Sequence, residues 1–154
     1  MIRMLFPFLL LSRIAFCQST PVEDKVQLTK IYSQAIADFI KAANAKEARP
    51  FDTLYFGKHV YGQPDDFPDI QLPRTIEKVV IKLISPDMGE KSQRKSRIYI
   101  NLLGWVDKDH AEFMFVVFSN GFIHQYDCNL KYSLPPESNT MHLDAVHFKG
   151  PPFD

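Results

Sequence analysis

The second half of this chain repeats one pattern, in which short apolar segments rich in β-branched and aromatic residues alternate with turn-forming residues. Such segments are typical of β-strands, whose successive side chains point to opposite faces of a sheet. Five segments fit the pattern: Ile76–Ile84, Arg97–Val106, Ala111–Phe118, Phe122–Tyr132 and Met141–Phe148. Phe51–Phe56 is a shorter candidate. Because short turns favour antiparallel neighbours, the pattern predicts an antiparallel sheet of four to six strands.

One long helix is predicted ahead of these strands. Thr20-Pro21-Val22-Glu23 is a capping box with proline at the first helical position, and Pro50 sets the latest end. Between them, apolar residues recur at steps of three and four: Leu28, Ile31, Tyr32, Ala35, Ile36, Phe39, Ile40 and Ala42. This stripe predicts a helix that buries one broad face. The expected fold class is therefore α+β, with one long N-terminal helix packed on a curved antiparallel sheet.

The start of the chain has the pattern of an export signal. Arg3 precedes the apolar run Leu5–Leu11, and Ala15 and Cys17 are small residues at the −3 and −1 positions of a signal-peptidase site before Gln18. The apolar run is too short for a transmembrane helix, which needs about 20 residues. We therefore expect no transmembrane span.

Cleavage at this site divides the chain into a signal peptide, residues 1–17, and a single α+β domain, residues 18–154. The expected location is outside the cytoplasm, either secreted or periplasmic. Two alternatives stay open. In the first, Ile14-Ala15-Phe16-Cys17 is similar to a bacterial lipobox, and a lipid on Cys17 would anchor the protein. In the second, the segment is not a cleaved signal and remains part of the chain.

Charge and motif content argue against several classes of function. Residues 1–17 carry two arginines and no acidic residue, so their removal changes the formal charge from 0 to −2. This near-neutral balance does not favour a nucleic-acid partner, and the basic run Lys91–Arg97 lies in a predicted loop. Without Cys17, Cys128 is the only cysteine, so no intrachain disulfide is expected. The common catalytic and nucleotide-binding motifs are absent, and no cofactor is predicted.

Two turns predict which residues share a face of the sheet. A two-residue turn at Lys108-Asp109 pairs Gly104 with Phe113, where the glycine leaves room for a ring. A two-residue turn at Asn120-Gly121 pairs Val117 with His124. The predicted core face then contains Ile98, Ile100, Leu102, Val106, Ala111, Phe113, Phe115, Val117, Tyr126, Cys128 and Leu130.

The opposite face is also rich in apolar residues. The candidate binding surface consists of Tyr99, Leu103, Trp105, Met114, Phe118 and Ile123. A sheet face turned wholly to water does not need this much apolar area. We expect a homodimer or a protein partner to bind here; a cover supplied by the loop 57–75 and a small-molecule ligand are the alternatives.

A second hypothesis assigns acid–base chemistry to His124, Tyr126 and Asp144. If Tyr132 pairs near Thr140, Cys128 lies opposite Asp144 and Leu130 lies opposite His142. His124, Cys128, His142 and Asp144 would then share the core-side face, where imidazole, thiolate and carboxylate groups suit zinc or acid–base work. The alternative is that these are ordinary strand residues.

The loop before the third segment is a candidate cation site. Asp65, Asp66 and Asp69, with His59 upstream, offer hard oxygen ligands for a cation such as calcium. The alternating D-x-D-x-D-G spacing of calcium loops is missing, so a solvated turn is the alternative interpretation.

An N-terminal helix followed by long antiparallel strands resembles the cystatin-like and nuclear-transport-factor-like α+β rolls, over about Thr20 to Phe148. That resemblance implies a dimeric binding module, a small-molecule isomerase or cyclase, or a protease inhibitor. The Q-x-V-x-G hairpin of inhibitory cystatins is absent, which argues against inhibition. An isomerase would use a pocket between helix and sheet, with His124 and Tyr126 as its candidates here. The leading hypothesis is an exported, non-catalytic binding or protein-interaction module.

Overall fold

The structure is a computed structural model that describes residues 25–46, 50–57, 70–84, 98–119, 124–135 and 140–150. Helix α1 extends over Lys25–Asn44, and its buried residues are Ile31, Tyr32, Ala35, Ile36, Phe39, Ile40 and Ala43. Most of the predicted apolar stripe is buried, but Leu28 and Ala42 are only partly buried, and Ala43 is buried in addition. The helix ends where the Asn44 side-chain oxygen accepts a hydrogen bond from the Phe51 N–H at 3.0 Å. The predicted capping box lies outside the described residues.

The helix packs on one sheet of seven strands: β1 Thr53–Gly57, β2 Thr75–Ile76, β3 Val79–Ile84, β4 Ile98–Val106, β5 His110–Ser119, β6 His124–Ser133 and β7 His142–Lys149. Their spatial order is β2-β3-β1-β4-β5-β6-β7. The α+β class is confirmed, but the expectation of four to six strands, all antiparallel, was wrong. β1 inserts between β3 and β4 and is parallel to both, so the sheet is mixed.

The extra strand arises within the segment predicted as a single strand, Ile76–Ile84. Glu77 and Lys78 have positive φ angles of 48° and 68°, which turn the chain back into the β2–β3 hairpin. Two successive residues in the left-handed region are the geometry of a type I′ turn, which asparagine and glycine usually supply. Because neither is present here, the sequence carried no turn signal at this point.

The β4–β5 hairpin has the predicted register. Val106 pairs with Ala111, and Gly104 pairs with Phe113. The Asp107 N–H donates to the His110 carbonyl at 2.9 Å and closes the turn. The β5–β6 register differs by two residues from the prediction, because Ser119 pairs with His124 rather than with Phe122. A shift of two leaves every side chain on its expected face, so Tyr126, Cys128 and Leu130 do face the core.

The predicted register of the last hairpin was wrong. Cys128 pairs with Phe148 rather than Asp144, and Leu130 pairs with Val146 rather than His142. The difference is four residues, and a bulge opposite Lys131 and Tyr132 adds one further residue to β7. The long connection between β6 and β7 left the register open, and apolar burial decided it, since Leu143 and Phe148 now pack against the core.

The core between α1 and the sheet combines aliphatic side chains with a cluster of packed aromatic rings. Phe39 stacks on Phe115 with ring centroids 4.4 Å apart, and Tyr32 meets Phe113 edge to face at 5.0 Å. On the same side, Tyr132 Oη donates to Asp38 Oδ2 at 3.1 Å, which links β6 to the helix. These contacts hold α1 against one face of the sheet. We call the opposite face of the sheet the outer face.

Candidate functional site

Over strands β4 to β7, the outer face is divided into an apolar half and a polar half. On this face, most side chains of β4 and β5 are apolar, and most side chains of β6 and β7 are polar or charged. The apolar strip, as we call the first group, consists of Tyr99, Leu103, Trp105, Met114, Val116 and Phe118. Among the described residues, the only helix packs on the other side of the sheet and no second strand layer exists.

Exposure varies along the apolar strip. Trp105 is 57% exposed, whereas Leu103, Met114 and Phe118 are half-buried. Tyr99 is only 4% exposed, with its ring centroid 5.7 Å from that of Tyr55. The candidate binding surface is therefore accessible chiefly at its Trp105 end. Ile123, its sixth predicted member, lies outside the described residues.

Trp105 occupies a corner where the sheet meets the β4–β5 turn. A depression of about 170 Å³ is lined there by Trp105, Val106, Asp107, His110, Ala111 and Glu112. Glu112 lies directly across from Trp105 on the neighbouring strand. We call the outward side chains of this group, Trp105, Asp107, His110 and Glu112, the Trp105 corner. The volume of the depression is below the roughly 300–1,000 Å³ of most small-molecule sites.

The turn holds the Asp107 carboxylate in a fixed position. Asp107 Oδ1 accepts backbone N–H groups from Asp109 at 2.8 Å and from His110 at 2.7 Å. These hydrogen bonds favour the charged form, and they lower the pKa of the Asp107 carboxyl below its ordinary value, with a smaller contribution from the nearby His110 and Lys108 charges. Asp107 is therefore a carboxylate over the whole physiological pH range.

Glu112 carries the second carboxylate of the corner. Lys131 Nζ lies 3.5 Å from Glu112 Oε1, and both side chains are about half exposed. Cross-strand ion pairs of this kind are weak in water. The pair marks the border between the apolar and polar halves of the outer face.

A second polar group lies at the same end of the sheet, on β6 and β7. Ser133 Oγ donates to Asp144 Oδ1 at 3.2 Å, and His142 Nδ1 lies 3.0 Å from the same oxygen. The hydrogen bond from His142, followed by that from Ser133, lowers the pKa of the Asp144 carboxyl. Asp144 lies between the serine and the histidine, whereas a serine nucleophile needs the imidazole next to it. The arrangement does not activate Ser133.

The residues of the acid–base hypothesis are not brought together. Tyr126 is buried in the core near the start of β6, whereas Asp144 is exposed on β7, beside the far end of β6. Tyr132 pairs with Leu143, the residue before Asp144, and therefore marks the position of Asp144 along β6. It is six positions from Tyr126, about 20 Å along a strand. His124 begins β6, and its side chain lies outside the described residues. Cys128 is fully buried, and burial raises the pKa of its thiol to about 12, so it remains protonated.

No group of three metal-binding side chains occurs among the described residues. The predicted cation ligands Asp65, Asp66 and Asp69 lie outside that part of the chain. Within the described ranges, no helix has both the length and the apolarity needed to cross a membrane.

The sequence pattern indicates Trp105 but not the corner around it. Asp107 and His110 flank the predicted turn at Lys108-Asp109, and Glu112 is a polar residue in a mostly apolar segment. The signal was present in the predicted β4–β5 register, which already places Glu112 across from Trp105.

Comparison of this chain with protein-family models, with curated proteins and with solved structures finds no match. The geometry of the outer face is therefore the basis on which a function is proposed.

Proposed function

We propose that this protein is an exported, non-catalytic interaction module that binds a partner protein through the outer face of its sheet. The observation that carries the proposal is the 57% exposure of Trp105 at the end of an apolar strip that no described helix or strand covers. Tryptophan is among the residues most enriched in the centres of protein interfaces.

The division of the outer face supports the same proposal. Protein interfaces combine an apolar centre with a polar rim. Here Leu103 and Met114 extend the apolar surface from Trp105, and Glu112 and Lys131 border it. The expected resemblance to α+β rolls, some of which pair through this face, agrees with the proposal and remains a prediction.

Site-directed photo-cross-linking tests this proposal in the cells that make the protein. A benzophenone amino acid at Met114 reports on the outer face, and the same group at Val146, which is 36% exposed at the β7 edge on the helix side, is the matched control. We expect one protein, identified by mass spectrometry, to cross-link at Met114 and not at Val146. A second copy of the chain as that product would show a homodimer. No product at Met114, or the same products at both positions, would contradict the proposal.

A further inference from the structure

The Trp105 corner combines an exposed indole with two carboxylates. Glu112 is the cross-strand neighbour of Trp105, and Asp107 follows Trp105 by two residues at the start of the turn. All three border the same depression. An aromatic face attracts a cation through its quadrupole, and tryptophan does so best. Carboxylates beside the ring add a direct charge attraction.

The charges around the corner leave this attraction in place. The carboxylates on the lining are Asp107 and Glu112, and Asp107 bonds mainly to backbone N–H groups. His110 Nδ1 lies 3.8 Å from Asp107 Oδ1, the oxygen that already accepts the two backbone N–H groups. Lys131 is 54% exposed, and such a surface pair is weak enough for an incoming cation to compete with it.

We propose that the Trp105 corner binds an arginine or lysine side chain of the partner protein. This inference rests on the proposed function and adds the chemistry of the central contact. The depression has room for one head group, and Leu103 and Met114 beside it provide apolar surface for the residues that flank the cation. A guanidinium group fits best, because it stacks on an indole and donates in its own plane to carboxylates.

A fluorescence titration tests the inference directly, because Trp105 is the only tryptophan of the chain. The probe is a hexa-arginine peptide, and the control is hexa-citrulline, which has nearly the same shape without the charge. We expect a saturable change in Trp105 emission with hexa-arginine and none with hexa-citrulline. Equal responses to the two peptides, or no saturable response to hexa-arginine, would overturn the inference.

Three variants locate the binding site. Glu112→Gln removes one carboxylate and should weaken hexa-arginine binding by about two- to fivefold. Lys131→Gln removes the competing cation and should strengthen it. Asp127→Asn makes the same charge change as Glu112→Gln four positions further along the polar half, and it should alter the affinity less than about twofold. Weaker binding by Lys131→Gln, or equal effects of Glu112→Gln and Asp127→Asn, would show that the corner is not the site.

The two proposals can fail separately. Cross-linking at Met114 does not depend on a cation, so a partner captured there together with a negative peptide titration would reject the cationic contact and keep the interaction module. A partner without exposed arginine or lysine at the cross-linked surface would lead to the same conclusion. Absence of any cross-linked partner would reject both.

Discussion

A Cβ atom built on Gly104 would lie 2.5 Å from Tyr32 Oη and 2.8 Å from Phe113 Cε1. Both neighbours are packed in the core, so neither can move away freely. We expect Gly104→Ala to lower the free energy of unfolding by about 1–3 kcal/mol, the usual cost of overpacking. Urea denaturation measures this change.

A double variant checks the cause of that loss. Tyr32→Phe removes the oxygen that the new methyl group would meet first, so Gly104→Ala should cost less in that background. If Gly104→Ala has the same effect with and without Tyr32→Phe, contact with the hydroxyl is not the cause.

The buried thiol and phenols of the core predict a loss of stability at alkaline pH. Burial raises the pKa of Cys128 from 9.0 and of Tyr32 from 10.0, in each case to about 12, and it also raises the pKa of Tyr132. The unfolded chain therefore releases these protons at lower pH than the folded protein does. Their contribution to stability is complete below about pH 9 and is lost as the pH rises from 9 to 12.

Urea denaturation at pH 8 and pH 10.5 measures this effect. We expect a lower free energy of unfolding at pH 10.5, and a difference that shrinks by up to about 2 kcal/mol in Cys128→Val, which no longer titrates. Equal stability of the unmodified protein at both pH values would contradict the prediction.

Among the secondary-structure elements, the β2–β3 hairpin is the clearest case of local strain. Lys78 has a φ angle of 68°, a conformation that costs a residue with a Cβ about 1–2 kcal/mol. Lys78→Gly should therefore raise the free energy of unfolding, by about 0.5–1 kcal/mol after the extra flexibility of the unfolded chain is included. Glu77 is best left unchanged, because it pairs with Lys41 of α1 at 3.3 Å.

Chemical denaturation of Lys78→Gly and Lys78→Ala separates backbone strain from the loss of the side chain. Alanine keeps the Cβ, so it should bring no gain. A stabilisation of the same size in both variants would point to the lysine charge rather than to the turn.

For the whole molecule, stability and binding are expected to depend on opposite faces of the sheet. Phe115 is fully buried against Phe39, so Phe115→Ala should cost about 3–5 kcal/mol. Trp105 is 57% exposed, so Trp105→Ala should lower the free energy of unfolding by less, about 2 kcal/mol at most. Urea denaturation of both variants tests this. A large loss with Trp105→Ala would mean that the residue supports the fold and would weaken the proposed interaction surface.

Part of the candidate site could be predicted because Trp105 and Glu112 lie on consecutive strands joined by a short turn. The two-residue turn at Lys108-Asp109 determines which residues face each other on β4 and β5, and so it places Glu112 beside Trp105. The cluster of Ser133, His142 and Asp144 could not be predicted in the same way. Its geometry depends on the β6–β7 register, which a long connection leaves open.

Local sequence patterns are sufficient to predict the helix, every strand except β2, and the face on which each side chain of β4, β5 and β6 lies. These properties follow from periods of 3.6 and 2 that the backbone imposes locally. The position of β1 between β3 and β4, parallel to both, and the separation of Asp144 from Tyr126 depend on the complete fold. Strand order and long-range register are selected by which pairing buries the most apolar surface in the whole molecule, and no local pattern contains that comparison.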